Sequence, residues 1–305
     1  MRVDKRESGI VNRRCKSISA CPRPPRLLTF SLMNTRAVVF LALLSLCSCQ
    51  QNPHVPAAVD TRLSATFFDV GQGDAALLQT AEATIVIDTG RNGEIVQFLR
   101  QQGVTHIDLL VLSHPHADHT GGLGAIVRSF PVTELWYAGD YRGKLRQMFH
   151  AARIAEAVAA GKTKTIGRLS LIVLHPEPGA VNARGGESDV NSGSLVIKAS
   201  YGESRYMFPG DCELGCWEEL FNLHRSDLRA DVLKAAHHGS RNGTSSGVLG
   251  NVRPTTVIIS CGRNNEYGHP HQIVLVMIQK LGARLFRTDE QGTIHCTGTD
   301  CRAGA

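Results

Sequence analysis

From residue 63 onward, short apolar runs divide the chain into two kinds of element. Runs at 64–70, 75–79, 84–87, 107–112, 169–174, 195–200, 205–208, 232–236 and 256–259 are short and largely apolar. They predict strands. Segments at 94–102, 123–130, 144–160, 213–224 and 272–281 carry apolar residues at helical spacing and predict helices. The 144–160 segment is Ala-rich and amphipathic, and is expected to be a packing helix with no part in function. The first three strands are separated only by Gly71-Gln72-Gly73 and Ala81-Glu82, which predicts an antiparallel start. Later strands alternate with helices, so the expectation is an α/β domain whose sheets are covered by helices.

Composition changes this picture mainly at the N-terminus. The chain has 305 residues and a formal charge of +6. Residues 1–49 hold nine of the 33 Lys and Arg and two of the 27 Asp and Glu, which leaves 24 basic and 25 acidic residues in the rest. The body therefore gives no global electrostatic reason to bind nucleic acid. Met33-Asn34-Thr35-Arg36 is a short positive start to an apolar run, 37–46, that is brief for a bilayer span. The run ends at Leu46-Cys47-Ser48-Cys49, which resembles a bacterial lipobox with Cys49 as the lipidated residue. Residues 1–32 read as a non-native or disordered upstream extension, 33–49 as a signal peptide, 50–62 as a polar tether and 63–305 as the folded domain. A simple secretory signal and an uncleaved anchor are the alternatives. All three place the domain outside the cytoplasm, where Cys212–Cys216 and Cys296–Cys301 bridges are permitted.

The chemistry concentrates at Ser113-His114-Pro115-His116-Ala117-Asp118-His119-Thr120-Gly121-Gly122, directly after the apolar run at 107–112. Three imidazoles and a carboxylate at a strand end are a metal-ligand set. In extended backbone His114 and His116 point the same way and can grip one ion. Asp118 and His119 can serve a second ion or the same one. Four further clusters close predicted strands: Asp69-Val70-Gly71-Gln72-Gly73-Asp74-Ala75, Ile87-Asp88-Thr89-Gly90, Phe208-Pro209-Gly210-Asp211 and His237-His238-Gly239-Ser240. Taken alone, the first two read equally well as turns with carboxylate caps. The His pair before Gly239 reads as functional.

Together these runs resemble the metallo-β-lactamase superfamily, and within it the hydrolase domain of ComEC-type DNA-uptake proteins. The resemblance spans residues 63–292 and also draws on Asn191-Ser192-Gly193-Ser194-Leu195-Val196 and Asn265-Glu266-Tyr267-Gly268-His269-Pro270-His271. It implies a four-layer αβ/βα sandwich with two divalent metal ions, Zn or Mn, at the sheet edge. His114 and His116 would bind the first metal, Asp118 and His119 the second, and Asp211 would bridge them. One of His237 or His238 would complete the second site, with His238 favoured because it directly precedes Gly239. Asn191 stands where the third His of the first site is expected, and its neutral oxygen shifts the preference toward Mn²⁺. His175 is the rival for that position.

The implied reaction is two-metal hydrolysis of a phosphodiester, single-stranded DNA among the substrates. Asp118 would orient the nucleophile, His269 or His271 would act on a phosphate oxygen or the leaving group, and Ser240 would hydrogen-bond to it. Membrane competence proteins are the expected partners, with membrane contact through the lipid anchor alone. The alternatives are hydrolysis of another phosphoester such as cell-wall phosphorylcholine, β-lactamase-like amide hydrolysis, and a silent binding module of the same fold.

Overall fold

The computed structural model describes residues 62–180 and 187–304. The extension, the signal-like segment with Cys49 and all of the tether except Arg62 lie outside them. In chain order the strands are β1 Ser64–Phe67, β2 Ala76–Gln79, β3 Thr84–Ile87, β4 Ile107–Leu112, β5 Val132–Tyr137, β6 Ala152–Ala157, β7 Thr163–Ile166 and β8 Leu169–His175. They continue with β9 Val196–Tyr201, β10 Ser204–Phe208, β11 Val232–Lys234, β12 Thr256–Ile259, β13 Arg284–Arg287, β14 Ile294–Thr297 and β15 Asp300–Ala303.

Two sheets result, ordered β15-β14-β1-β2-β3-β4-β5-β6 and β13-β12-β11-β10-β9-β8-β7. The first begins antiparallel, as the short turns predict, and becomes parallel from β3 to β6. The second is antiparallel from β7 to β10 and parallel from β10 to β13. A strand buried on both faces must be apolar throughout, and β4 shows how its run is divided. Leu109 and Val111 face the core between the sheets, with Phe67, Trp136, Ile197, Phe208 and Ile258. Leu110 and Leu112 face outward, under the helices Ile95–Gln101 and Leu123–Ser129. A third apolar layer joins the outer face of the second sheet to the helices Leu214–Leu223, Ser246–Val252 and Gln272–Leu281. The stacking is helix, sheet, sheet, helix: the four-layer αβ/βα sandwich.

The expected helix over 144–160 is corrected. Only Gly143–Met148 is α-helical; a single 3₁₀ turn follows at Phe149–Ala151, and then the chain enters β6. The free backbone edge of β5 pairs in parallel with it, and this demand for partners outweighs the helix preference of alanine. Ile154, read as part of a packing face, is 51% exposed. Also unforeseen are β5, β7, β13 and the β14–β15 hairpin. That hairpin closes the first sheet against β1 and carries Cys296 opposite Cys301. Both permitted disulfides are present, Cys212–Cys216 and Cys296–Cys301, while Cys261 is a buried free thiol.

The corrected register makes a testable distinction. Leu110→Ala removes a fully buried side chain and is expected to cost about 2–5 kcal/mol. Ile154→Ser on the exposed edge is expected to stay within about 0.5 kcal/mol of wild type. Urea unfolding of the full chain checks both, and a large loss at Ile154 would restore the packing helix.

Candidate metal centre

Parallel strands send their C-terminal ends to the same side, and six connections meet there. The β1–β2 loop brings Asp74, the end of β3 brings Asp88, and the end of β4 brings Ser113 and His114. One turn of helix, Ala117–Thr120, holds Asp118 and His119, with His116 as its extended N-cap. From the second sheet the end of β10 supplies Asp211, the end of β11 His237 and His238, and the loop after β12 His269.

The approach is close enough to require glycine at two points. Gly73 has φ +140°, and a Cβ there would lie 2.3 Å from the Asp118 carbonyl oxygen. Gly210, at φ +55°, would place its Cβ 2.7 Å from that of Ser113. Asp88, His237 and His238 take left-handed backbone themselves, at φ 57°, 48° and 54°. Each such residue carries a strain of roughly 1 kcal/mol or more, held in place by the packed strands.

Asp88 organises the imidazoles. Its carboxylate accepts from Ser113 N–H and from Ser113 Oγ, each at 2.7 Å, and from His119 Nδ1 at 2.7 Å. Ser113 Oγ, having donated to Asp88, accepts from His114 Nδ1 at 3.1 Å. His238 Nδ1 donates to the Ser260 carbonyl at 2.9 Å and lies 3.3 Å from Asp74 Oδ1. In each ring the Nδ1 proton is thereby fixed and Nε2 is the nitrogen turned inward.

Those Nε2 atoms converge on Asp211. His119 Nε2 lies 3.2 Å from one carboxylate oxygen; His114 and His238 Nε2 each lie 3.7 Å from the other. His238 Nε2 is also 3.2 Å from Asp118. Three sets, His114/His119/Asp211, Asp118/His119/His238 and Asp74/Asp211/His238, each bring their ligand atoms within 4.8 Å of one another. His114 Nε2, His119 Nε2 and Asp211 Oδ1 are buried and have no hydrogen-bond partner. Buried polar atoms of this kind call for an explanation. A divalent ion fits, because imidazole nitrogens and carboxylate oxygens are its usual donors.

Burial and charge pull the titrations apart. Burial lowers His114, and the neighbouring His119 adds to it. His119 and His238 lose to burial but gain more from Asp211, with Asp88 and Asp74 respectively; His238 rises to about 9. Burial raises the Asp211 carboxyl, yet His119, His238 and His114 bring it well below its usual range. Lys234, buried beneath the cluster, ion-pairs with Asp74. Burial alone would raise Asp74; Lys234, then His238 and His119, lower it overall. Burial and the facing His237 push His269 down to about 4.

A cavity of about 430 Å³ opens above the cluster, lined in part by His116, Asp118, Asn191, Asp211, His237 and His238. His116 packs edge-on against His114, with ring centroids 4.6 Å apart. Asn191 donates to Glu213 at 3.3 Å and keeps a buried, unpartnered Oδ1 beside the cavity. His237 Nδ1 lies 2.8 Å from Glu213; the ring is less buried than His238 and approaches Asp211 to 3.8 Å.

Two expectations need correction. His175 does not line the cavity; its Nδ1 donates to the Ser194 carbonyl at 2.9 Å and its Nε2 faces Glu219 at 3.3 Å. Ser240 is buried away from the cavity and accepts from Asn242 N–H at 3.3 Å within its own turn. His269 does line the cavity, whereas His271 caps the helix Gln272–Leu281 and accepts from Arg241 N–H at 3.1 Å. Sequence reasoning missed Lys234 and Glu213 and left Asp74 and Asp88 as turn caps. The available signal was that Asp88, like Asp211, closely follows a strand, and that Asp74 follows Gly73 in the β1–β2 loop.

The comparisons agree with this geometry. The family model described as the metallo-beta-lactamase superfamily matches residues 68–262. ComE operon protein 3 of Bacillus subtilis is 31% identical over 253 residues, covering 74% of this chain and 32% of the relative. Recombination protein 2 of Haemophilus influenzae is 31% identical over 240 residues, covering 74% and 28%. The chain thus spans about a third of the length of the curated relatives it matches. Among solved structures, Tm1679, a metal-dependent hydrolase of the beta-lactamase superfamily, aligns with TM-score 0.51 at 15% identity over 80% of this chain and 99% of that one. The diiron β-hydroxylase CmlA of Streptomyces venezuelae aligns with TM-score 0.51 at 12% identity, covering 77% and 54%, so the fold alone does not fix the reaction. With a family model covering well over half its length, a matching four-layer sandwich and a convergent His/Asp cluster at the sheet edge, the chain belongs to the metallo-beta-lactamase superfamily.

Proposed function

We propose that the chain is an extracytoplasmic phosphodiesterase acting on DNA with two divalent metal ions, anchored through Cys49. The observation that carries the hydrolytic part is the convergence of unpartnered, buried Nε2 atoms on Asp211. His114, His116 and Asn191 would hold one ion, Asp118, His119 and His238 the other, and Asp211 both. Bound there, divalent ions would activate water and stabilise charge on a phosphoryl oxygen.

The protein's own groups do the rest. Asp88 and Ser113 keep His114 and His119 in the ligating tautomer, so the cluster is preorganised. Asp118, kept ionised by His238 and His119 against the effect of burial, lines the cavity and can accept a hydrogen bond that orients an attacking water. His269 is neutral at pH 7 and offers a hydrogen bond, not a permanent charge, to a phosphate oxygen or a leaving group. The negative charge of an arriving phosphodiester raises its pKa by direct attraction. The DNA substrate is supported by the similarity to Recombination protein 2 of Haemophilus influenzae and by a cavity of about 430 Å³ that reaches Asp211.

Three outcomes are expected. Purified full chain loaded with Mn²⁺ or Zn²⁺ cleaves single-stranded DNA and bis-p-nitrophenyl phosphate, loses this activity in chelator, and leaves nitrocefin intact. Failure on every phosphodiester overturns the proposal, and turnover of a phosphorylcholine ester alone replaces it with the cell-wall reading. Asp88→Asn should weaken metal binding about 10–100-fold in a competitive titration, with the folded circular-dichroism spectrum retained; unchanged affinity would remove Asp88 from the site. His269→Ala should lower kcat about 100-fold at unchanged metal content, whereas wild-type turnover would leave His269 a structural residue.

A further inference from the structure

Two side chains at the rim of the cavity are not used by the metal cluster. Arg91 follows the Asp88-Thr89-Gly90 turn, is exposed, lines the cavity and pairs with no carboxylate among the described residues. Tyr267 lines the same cavity and is 50% exposed. Its ring stacks on His269, with centroids 5.9 Å apart and planes at 24°, so one face is backed and the other is open. The turn beneath it is fixed by Asn265, whose Oδ1 accepts from His269 N–H at 3.0 Å and whose amide donates to the Gly262 and His269 carbonyls.

These features point to a substrate with two distinct parts. A guanidinium without a partner, beside a cavity that otherwise presents Asp118 and Asp211, suits an anion with planar oxygen geometry, and arginine meets phosphate in that way. A rigid aromatic face held at the mouth, with no packing partner on its outer side, suits a flat ring. One unit combining phosphate and flat ring is a nucleotide. In a duplex both faces of every base are covered by neighbours, so only an unpaired strand can offer a face to Tyr267.

We infer that Tyr267 stacks one unpaired base of the substrate strand and that Arg91 holds the adjoining phosphate in front of Asp211. The inference rests on the phosphodiesterase reading and narrows it. Tyr267 is then a specificity residue for the base, and Arg91 a positioning residue for the phosphate. The competing chemistry for an aromatic face, a quaternary ammonium held by cation–π attraction, is disfavoured by the cationic Arg91 at the same rim.

The test compares KM values of the metal-loaded full chain for a thymidine oligonucleotide, an abasic oligonucleotide of equal length, and the same thymidine strand paired in a duplex. Wild type should prefer the thymidine strand over both others. Tyr267→Leu should reduce the preference over the abasic strand about tenfold, and Tyr267→Trp should restore it. Arg91→Gln should raise KM for both single strands alike. If Tyr267→Leu shifts the thymidine and abasic strands equally, or shifts neither, the stacking assignment is overturned while the phosphodiesterase reading stands. A duplex cleaved as well as the single strand overturns it too. Wild type that cleaves no phosphodiester, or that cleaves only a choline phosphoester in a Tyr267-dependent way, removes both readings together.

Discussion

One buried carboxylate, Asp88, sets the chemistry of the sheet edge. It accepts three hydrogen bonds of 2.7 Å, two from Ser113 and one from His119. Because β3 and β4 are parallel neighbours, Asp88 and Ser113 leave adjacent strands at the same level. The Ser113 hydroxyl can donate only one proton, so giving it to Asp88 obliges His114 to donate its own. A single charge therefore turns two imidazoles toward Asp211. Burial raises its pKa in spite of His119 and the Ser113 N–H, so the charge-assisted bonds, about twice as strong as neutral ones, offset only part of the cost of burying it. The second sheet answers with Lys234, whose buried ammonium meets Asp74 beside His238.

The fold brings these charges together and keeps them close. Gly73 and Gly210 let two loops touch where any side chain would force them apart. His237 and His238 hold left-handed backbone that the flanking strands impose. Immediately beyond Asp211, Cys212 is bridged to Cys216 on the next helix, so the turn carrying Asp211 is also held covalently. The apolar layer between the sheets supplies the stiffness against which this strain is maintained.

Much of this was legible in the chain. β4 was evident because its run is apolar on both faces, and the dense His/Asp motif after it could hardly be a packing feature. The paired His237 and His238 were equally visible, but choosing between them needed the Ser260 carbonyl and Asp118, distant in sequence. Asp74 and Asp88 were ambiguous because a carboxylate in a glycine-containing loop at a strand end has the same local pattern in a turn cap and in a charge relay. Lys234 was invisible, since a lysine in a short strand normally reaches solvent. The 144–160 segment misled because alanine prefers helix, while the open edge of β5 asked for a strand. His175 and Ser240 have site-like chemistry, yet tertiary packing turns both away from the cavity.

The central claim is that the Asp211 cluster holds two divalent ions. Anomalous diffraction from crystals of the full chain soaked in Mn²⁺, and separately in Zn²⁺, tests it most directly. The account predicts two peaks flanking Asp211, one toward His114 and His116 and one toward Asp118, His119 and His238. A single peak elsewhere, or none beside Asp211 at saturating metal, would contradict it.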